Sequence, residues 1–191
     1  MVSLLITLPV ILIAITVHEF AHAKVADILG DPTPRMAGRL TLNPIAHIDP
    51  IGLLMLVVVR FGWAKPVPIN HRNFADPVKG SMYVSLAGPL SNFFLAWVLS
   101  IVFKAVPVAY GSIIYSVLSY GIWINLALGV FNLLPIPPLD GSHILEGLLP
   151  YQYLDWFYKM QQYSFLILIM VIMFASPILI GIVSFLYRLL V

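Results

Sequence analysis

The sequence contains no cysteine, so neither a disulfide framework nor a thiolate metal site can be built from it. Charge is nearly as scarce. Only 9% of the 191 residues are Asp, Glu, Lys or Arg, against 61% hydrophobic, which excludes an ordinary water-soluble domain. A formal net charge of +2 is too small to point to a nucleic-acid partner. The N-terminal apolar run has no basic leading segment and no small-x-small cleavage site before its first polar cluster. It therefore reads as a retained helix rather than a secretory signal.

The few charges are segregated. Residues 2–17, 81–103, 105–139 and 160–187 carry none, and a spanning helix needs about 20 apolar residues. The expected fold class is an all-α polytopic membrane protein of about four transmembrane helices, forming one domain over 1–191. The first span covers about 3–29 and reaches full length only by running through His18. A loop and re-entrant region follows over 30–79, then a second span over about 80–104. A third span over about 112–134 leads into a broken segment at 135–141 and a short helix at 142–149. The fourth span covers about 162–187, with Pro177 as a kink. Lys24, Arg35, Arg39, Arg60, Lys65, Arg72, Lys79 and Lys159 fall on one side of this layout, and only Lys104 and Arg188 on the other. The positive-inside rule then puts the 24–80 and 140–159 segments in the cytoplasm and both termini outside a cell membrane.

The costliest residues lie at the end of the first apolar run, in His18-Glu19-Phe20-Ala21-His22. Ionisable side chains at membrane depth mark a functional site by default. Histidines four apart share one helix face. In an H-E-x-x-H pattern the two imidazoles bind Zn²⁺ and the glutamate handles the protons of an attacking water. A catalytic zinc commonly takes three protein ligands. Asp140, in Leu139-Asp140-Gly141 after Pro135, Pro137 and Pro138, is a carboxylate on the same side and could complete the set. Its other reading is an N-cap for the short helix that follows.

The 30–79 region is rich in turn residues. Arg35–Leu42 alternates enough for a short membrane-edge strand, and Ile51–Val59 is apolar but too short to span, so it reads as re-entrant or interfacial. Gly62–Asn70 reads as extended chain. Pro66 and Pro68 confine it to an edge strand or a loop, and an edge can pair with an extended peptide. In Ala87-Gly88-Pro89-Leu90-Ser91-Asn92, small residues permit close helix approach. Asn92 reads equally as packing glue or as a site residue. Among the remaining histidines, His71 reads as solvated loop and His47 as a brace on the cytoplasmic face. His143 reads as a structural residue, with a place beside Asp140 or on a metal as its other reading.

Three motifs in order, His18–His22, Gly88–Asn92 and Asn132–Gly141, resemble the site-2 protease family of intramembrane zinc metalloproteases. Asn43-Pro44, His47-Ile48-Asp49-Pro50 and Lys65-Pro66-Val67-Pro68 resemble its compact members, which lack PDZ and CBS domains. The resemblance implies one Zn²⁺ held by His18, His22 and Asp140, with Glu19 as the catalytic base. It puts Asn92 and Asn132 near the cleft, with Asn132 suited to the substrate backbone or the oxyanion. It makes Lys65, Pro66, Val67 and Pro68 an edge for an unwound transmembrane protein substrate, cut within the lipid bilayer. The alternative is a membrane metal-ion binding or transport protein that uses the same His/Asp set.

Overall fold

A computed structural model describes residues 4–59, 62–107 and 109–191. Helix α1 spans Leu4–Ile28. At 1.5 Å per residue its length is about 37 Å, enough to cross a hydrocarbon core of about 30 Å. It stops at a glycine cap. Gly30 has φ +101°, Asp31 N–H donates to Ala26 C=O at 2.9 Å, and Gly30 N–H donates to Asp27 C=O at 3.3 Å. A glycine takes this left-handed conformation without the penalty a Cβ would bring.

A short turn of helix, α2, covers Thr33–Met36. The alternating Arg35–Leu42 stretch is therefore not a strand. Pro34 presets a helical φ in the first turn, Arg35 Nη2 pairs with Asp27 Oδ2 at 2.6 Å, and Gly38 reverses the chain at φ +67°. Among the described residues the only strand-like pairing is a single antiparallel bridge, Ile48 to Ala64. Helix α3, Pro50–Val59, is the short apolar helix expected between the first two spans. Asp49 Oδ1 accepts from Ile51 N–H and Gly52 N–H, and Pro50 stands where a missing donor costs nothing.

Helix α4, Pro77–Ala105, is capped by Asp76. Helix α5, Ile113–Asn132, is capped by Ser112. Three prolines after α5 force a run of turns, which ends where α6, Asp140–Leu148, begins. Helix α7, Leu154–Gln161, precedes a final span built from α8, Ser164–Met170, and α9, Ser176–Leu190. Between them, Val171–Ala175 widens into a π turn just ahead of Pro177. A proline lacks the donor for the normal helical ladder, so the kink expected there takes this form.

Among the described residues, four helical stretches are long and apolar enough to cross a membrane: Leu5–Ile28, Pro77–Ala105, Ile113–Asn132 and Ser164–Leu190. The last is the least covered by protein, and Phe165, Met173, Phe174, Ile178 and Phe185 on it are exposed, as lipid-facing residues are. Helix α4 is central and packs on α1, α5 and α6. Ala96, Ile122, Leu126 and Val183 form the core between α4, α5 and α9. Ala26, Phe74 and Val84 form a second cluster beside the end of α1.

Asp31 ties that end of α1 to the chain entering α4. It is fully buried, and its carboxylate accepts from Thr33 N–H, Thr33 Oγ1, Asn70 N–H and Asn73 Nδ2. Burial pushes the carboxyl up, but these four donors outweigh it and the group titrates below its ordinary value. A carboxyl with a lowered folded pKa stabilises the fold above its unfolded pKa and loses that contribution as pH falls through the folded value. Asp31→Ala leaves four donors without their acceptor and is expected to cost about 3 kcal/mol. Thermal unfolding of the detergent-solubilised protein at neutral pH checks this, and the gap to wild type should narrow as the pH drops below about 4.

Candidate metal centre

His18 and His22 lie one turn apart on α1, and α6 brings Asp140 against both. His18 Nε2 is 2.9 Å from His22 Nε2. Asp140 Oδ2 lies 3.1 Å from His18 Nε2 and 3.3 Å from His22 Nε2. Tetrahedral zinc with bonds of about 2.0–2.2 Å separates its ligand atoms by about 3.3 Å, so this triangle is of the right size. The chemistry agrees. Two imidazole nitrogens and one carboxylate oxygen converge, and the buried Oδ2 has no hydrogen-bond partner. The residue before it, Leu139, occupies the N-cap, and Asp140 is the first residue of the helix. Asp140 faces the histidines instead of capping.

The other nitrogen of each ring is engaged, which sets the tautomers. His18 Nδ1 lies 2.7 Å from Asn92 Oδ1, and Asn92 Nδ2 donates to Ala14 C=O at 3.1 Å and to Asn125 Oδ1 at 2.8 Å. With its amide nitrogen committed to two acceptors, Asn92 presents its oxygen to the ring, so His18 Nδ1 carries the proton. Asn125 Nδ2 donates in turn to Gly121 C=O at 2.8 Å. His22 Nδ1 meets Val84 C=O at 2.7 Å and is likewise the donor. Both Nε2 lone pairs are left to face Asp140. Asn92 is fully buried behind the ring. This corrects its expected place beside the substrate, since every polar atom of its side chain already has a protein partner. Asn125 was not singled out in the sequence. It sits in α5 with no motif around it, and only the encounter of α4 with α5 gives it a role.

Space for the rings comes from Gly88. A Cβ there would fall on His22 Nε2 and on Cε1 of both imidazoles. Helix α4 therefore approaches α1 closely enough for Asn92, one turn on, to reach His18.

A cleft of about 390 Å³ opens on the centre. His18, Glu19, His22, Pro66, Val67, Ile69, Asn132, Asp140 and others line it. Glu19 is half-buried there, and its Oε2 accepts from Val67 N–H at 3.1 Å. Asn132 reaches the cleft with Nδ2 donating to Leu128 C=O at 3.0 Å. Pro66 and Val67 also line it, whereas Lys65 and Pro68 do not. His71 and His143 stand on the cleft wall, with ring centroids 6.2 Å apart. His71 is thus not only solvated loop, and its Nδ1 lies 2.6 Å from Ser81 Oγ. His143 pairs with Glu146 Oε2 at 3.3 Å. His47 is buried away from the cleft, with Nε2 2.8 Å from Thr41 C=O and Nδ1 3.4 Å from Arg39 Nη2.

A buried two-histidine, one-carboxylate centre among membrane-spanning helices, with a glutamate beside it, defines a membrane-embedded metalloenzyme of the hydrolytic kind. Comparison with known proteins makes the class specific. A model described as Peptidase family M50 matches residues 107–175. Several relatives carry the name "Putative zinc metalloprotease", among them the following two. YwhC of Bacillus subtilis (strain 168) is 41% identical over 88% of this chain and 79% of its own length. Rip2 of Mycobacterium tuberculosis (strain ATCC 25618 / H37Rv) is 33% identical over 71% of this chain and 54% of its own. The chain thus spans about half the length of the mycobacterial relative. MJ0392 of Methanocaldococcus jannaschii, named "Zinc metalloprotease", is 27% identical over 74% of this chain. No solved structure matches. The chain belongs to peptidase family M50, the site-2 proteases, and is a zinc metalloprotease of the membrane.

Two substitutions probe the centre without reference to activity. Asn92→Ala removes the acceptor that fixes the His18 tautomer, and zinc affinity should fall about 10- to 100-fold, read by chelator competition. Gly88→Ala puts a methyl group where the imidazoles stand. The purified variant should keep its helical circular dichroism and hold less than one zinc per chain. Full zinc content in it would contradict the ring positions described above.

Proposed function

We propose that the chain is an endopeptidase that hydrolyses peptide bonds within or beside transmembrane segments of other membrane proteins. His18, His22 and Asp140 hold one zinc ion, and Glu19 is the catalytic residue. The observation that carries this reading is the convergence of those four side chains on one cleft that a membrane helix enters.

A zinc ion bound there supplies a water of pKa near 7 and a Lewis acid for the scissile carbonyl. Glu19 does the proton work. It accepts a proton from the attacking water as the C–O bond forms, and it gives a proton to the leaving amine as the C–N bond breaks. One carboxylate oxygen is held by Val67 N–H, and the other is free to face the reactants. Asn132 lies where its amide can meet a substrate carbonyl or the developing oxyanion. Asn92 is a positioning residue, acting through His18. The extended segment from Lys65 to Pro68 receives the substrate backbone. A transmembrane helix hides its carbonyls in its own ladder, so cleavage requires local unwinding, and groups freed in lipid need new partners at once.

The same reading puts the cleft toward the cytoplasm with both termini outside. Its support is the distribution of lysine and arginine, concentrated in the segments that border the cleft. Nothing in the site favours ion permeation, and Glu19 would have no duty in it.

Glu19→Gln should retain one zinc per chain and lose at least about 1,000-fold in cleavage of a model transmembrane substrate in vesicles. Asp140→Ala should lower zinc content itself, measured by metal analysis of the purified protein. Normal zinc content in that variant would remove Asp140 from the ligand set.

A further inference from the structure

Helices α5 and α9 pack together, and the crevice along their contact changes character with depth. At the end where α5 begins and α9 finishes it is a polar hollow of about 710 Å³, with Tyr115, Ser119, Ser184, Tyr187 and Arg188 on its walls. Trp123 lines this hollow and the next one as well. The second hollow, of about 300 Å³, continues past Ala127 and Ile180 to Phe131 and Ile172, and its walls expose no polar surface. Ile172 and Ile180 are exposed, so the crevice is open to the bilayer. From Trp123 to Phe131 it follows about 12 Å of α5, within the depth of about 15 Å of one leaflet.

The polar hollow lies at headgroup level. Tyr110 and Tyr115 meet edge to face there, with ring centroids 4.9 Å apart, and tyrosines gather where hydrocarbon meets water. Arg188 stands in the last turn of α9 and is exposed. It forms no ion pair among the described residues. No acidic residue lies on α5, on α9 or in the 106–112 connection beside them. A helix C-terminus favours a cation, but the dipole accounts for neither the hydroxyls around Arg188 nor the apolar hollow that follows. The Ser119 and Tyr187 hydroxyls share one hydrogen bond at 2.8 Å, which leaves one of their two protons to donate elsewhere.

We propose that this crevice is a binding site for one anionic glycerophospholipid. Its phosphate takes Arg188 and the Ser119–Tyr187 hydroxyl pair, in the charge-assisted bonds that guanidinium and hydroxyl donors make to phosphate. One acyl chain lies in the apolar hollow, between Ala127 on α5 and Ile180 on α9. An ammonium-bearing headgroup finds no carboxylate here to answer its charge, whereas the hydroxyls of a glycerol headgroup meet Ser184 and Tyr115. Phosphatidylglycerol is therefore preferred to phosphatidylcholine. The final span is the least covered by protein, and a lipid held between it and α5 adds packing where the chain supplies little. The crevice shares no wall residue with the metal cleft, and the inference does not rest on the protease reading.

The test is native mass spectrometry of the purified full chain, delipidated in detergent and titrated with each lipid and with a single-span peptide. Phosphatidylglycerol should add one molecule per chain, with at least about fivefold higher affinity than phosphatidylcholine. Arg188→Gln should lower that affinity about tenfold, the effect of losing one charged hydrogen-bond donor. Lys104→Gln neutralises the other cation at this end, outside the crevice, and should change it less than about twofold. Ile180→Trp, at an exposed wall position, fills the apolar hollow and should weaken binding at least about fivefold. All three variants should keep the helical circular dichroism of the wild type. Glycerol phosphate and inorganic phosphate should not displace the lipid. Displacement by either makes the hollow a free-anion site and overturns the proposal. Equal affinity for the two lipids, or an equal loss in Lys104→Gln, also overturns it. So does a dimer, or a bound peptide, that excludes the lipid and is lost in Ile180→Trp.

Discussion

The hydrogen bond from His18 Nδ1 to Asn92 Oδ1 is the interaction on which the rest of the centre depends. Polar groups between membrane helices are stable only when each has a partner. Asn92 satisfies this for His18 by committing its own nitrogen to Ala14 on α1 and to Asn125 on α5, so one side chain on α4 joins three spans. The bond is possible only because Gly88, one turn earlier, lets α4 approach α1 over the imidazole rings. With the outer nitrogens so engaged, both inner nitrogens point at Asp140. The convergence of three ligand atoms follows from hydrogen bonding behind them.

A second polar network serves the other wall of the cleft. Arg39 and His47 hold one end of the extended segment, and Asp31 holds the other. The middle of that segment supplies Val67 N–H to Glu19. The glutamate is therefore held by the same stretch of chain that forms this wall of the cleft. Burial pulls the Arg39 guanidinium below its ordinary pKa, and the nearby Glu19 charge works against that shift. The Glu19 carboxylate and the clamp of its neighbouring segment thus lie within one electrostatic environment.

The sequence made the spans legible because hydrophobic length is a direct physical requirement of the bilayer, and it made the histidine pair legible because a four-residue spacing fixes two side chains on one helix face. Asp140 was legible as a candidate, since three prolines ahead of it exclude a helix and leave a carboxylate in broken chain. The local alternation of Arg35–Leu42 misled, because Pro34 and Gly38 dictate a helical turn and a reversal whatever the pattern of side chains. Asn92 read equally as packing glue or as a site residue, and only its burial behind His18 shows which contacts it makes. Asn125, the burial of Arg39 and the bond from Val67 to Glu19 left no trace in local sequence. Each exists only once α1, α4, α5 and the 64–70 segment have met, and no spacing rule reaches across 48 or 78 residues.

On the proposed function this polar centre works on a peptide bond inside the bilayer. Its most direct test is mass-spectrometric mapping of the cut. A defined single-span substrate is co-reconstituted with the purified, zinc-loaded chain in sealed vesicles, with and without a zinc chelator. One dominant cut is expected inside the apolar segment, in its cytoplasmic half, that disappears with the chelator and returns on adding zinc. Cuts confined to the soluble flanks, or cleavage indifferent to the chelator, would contradict it.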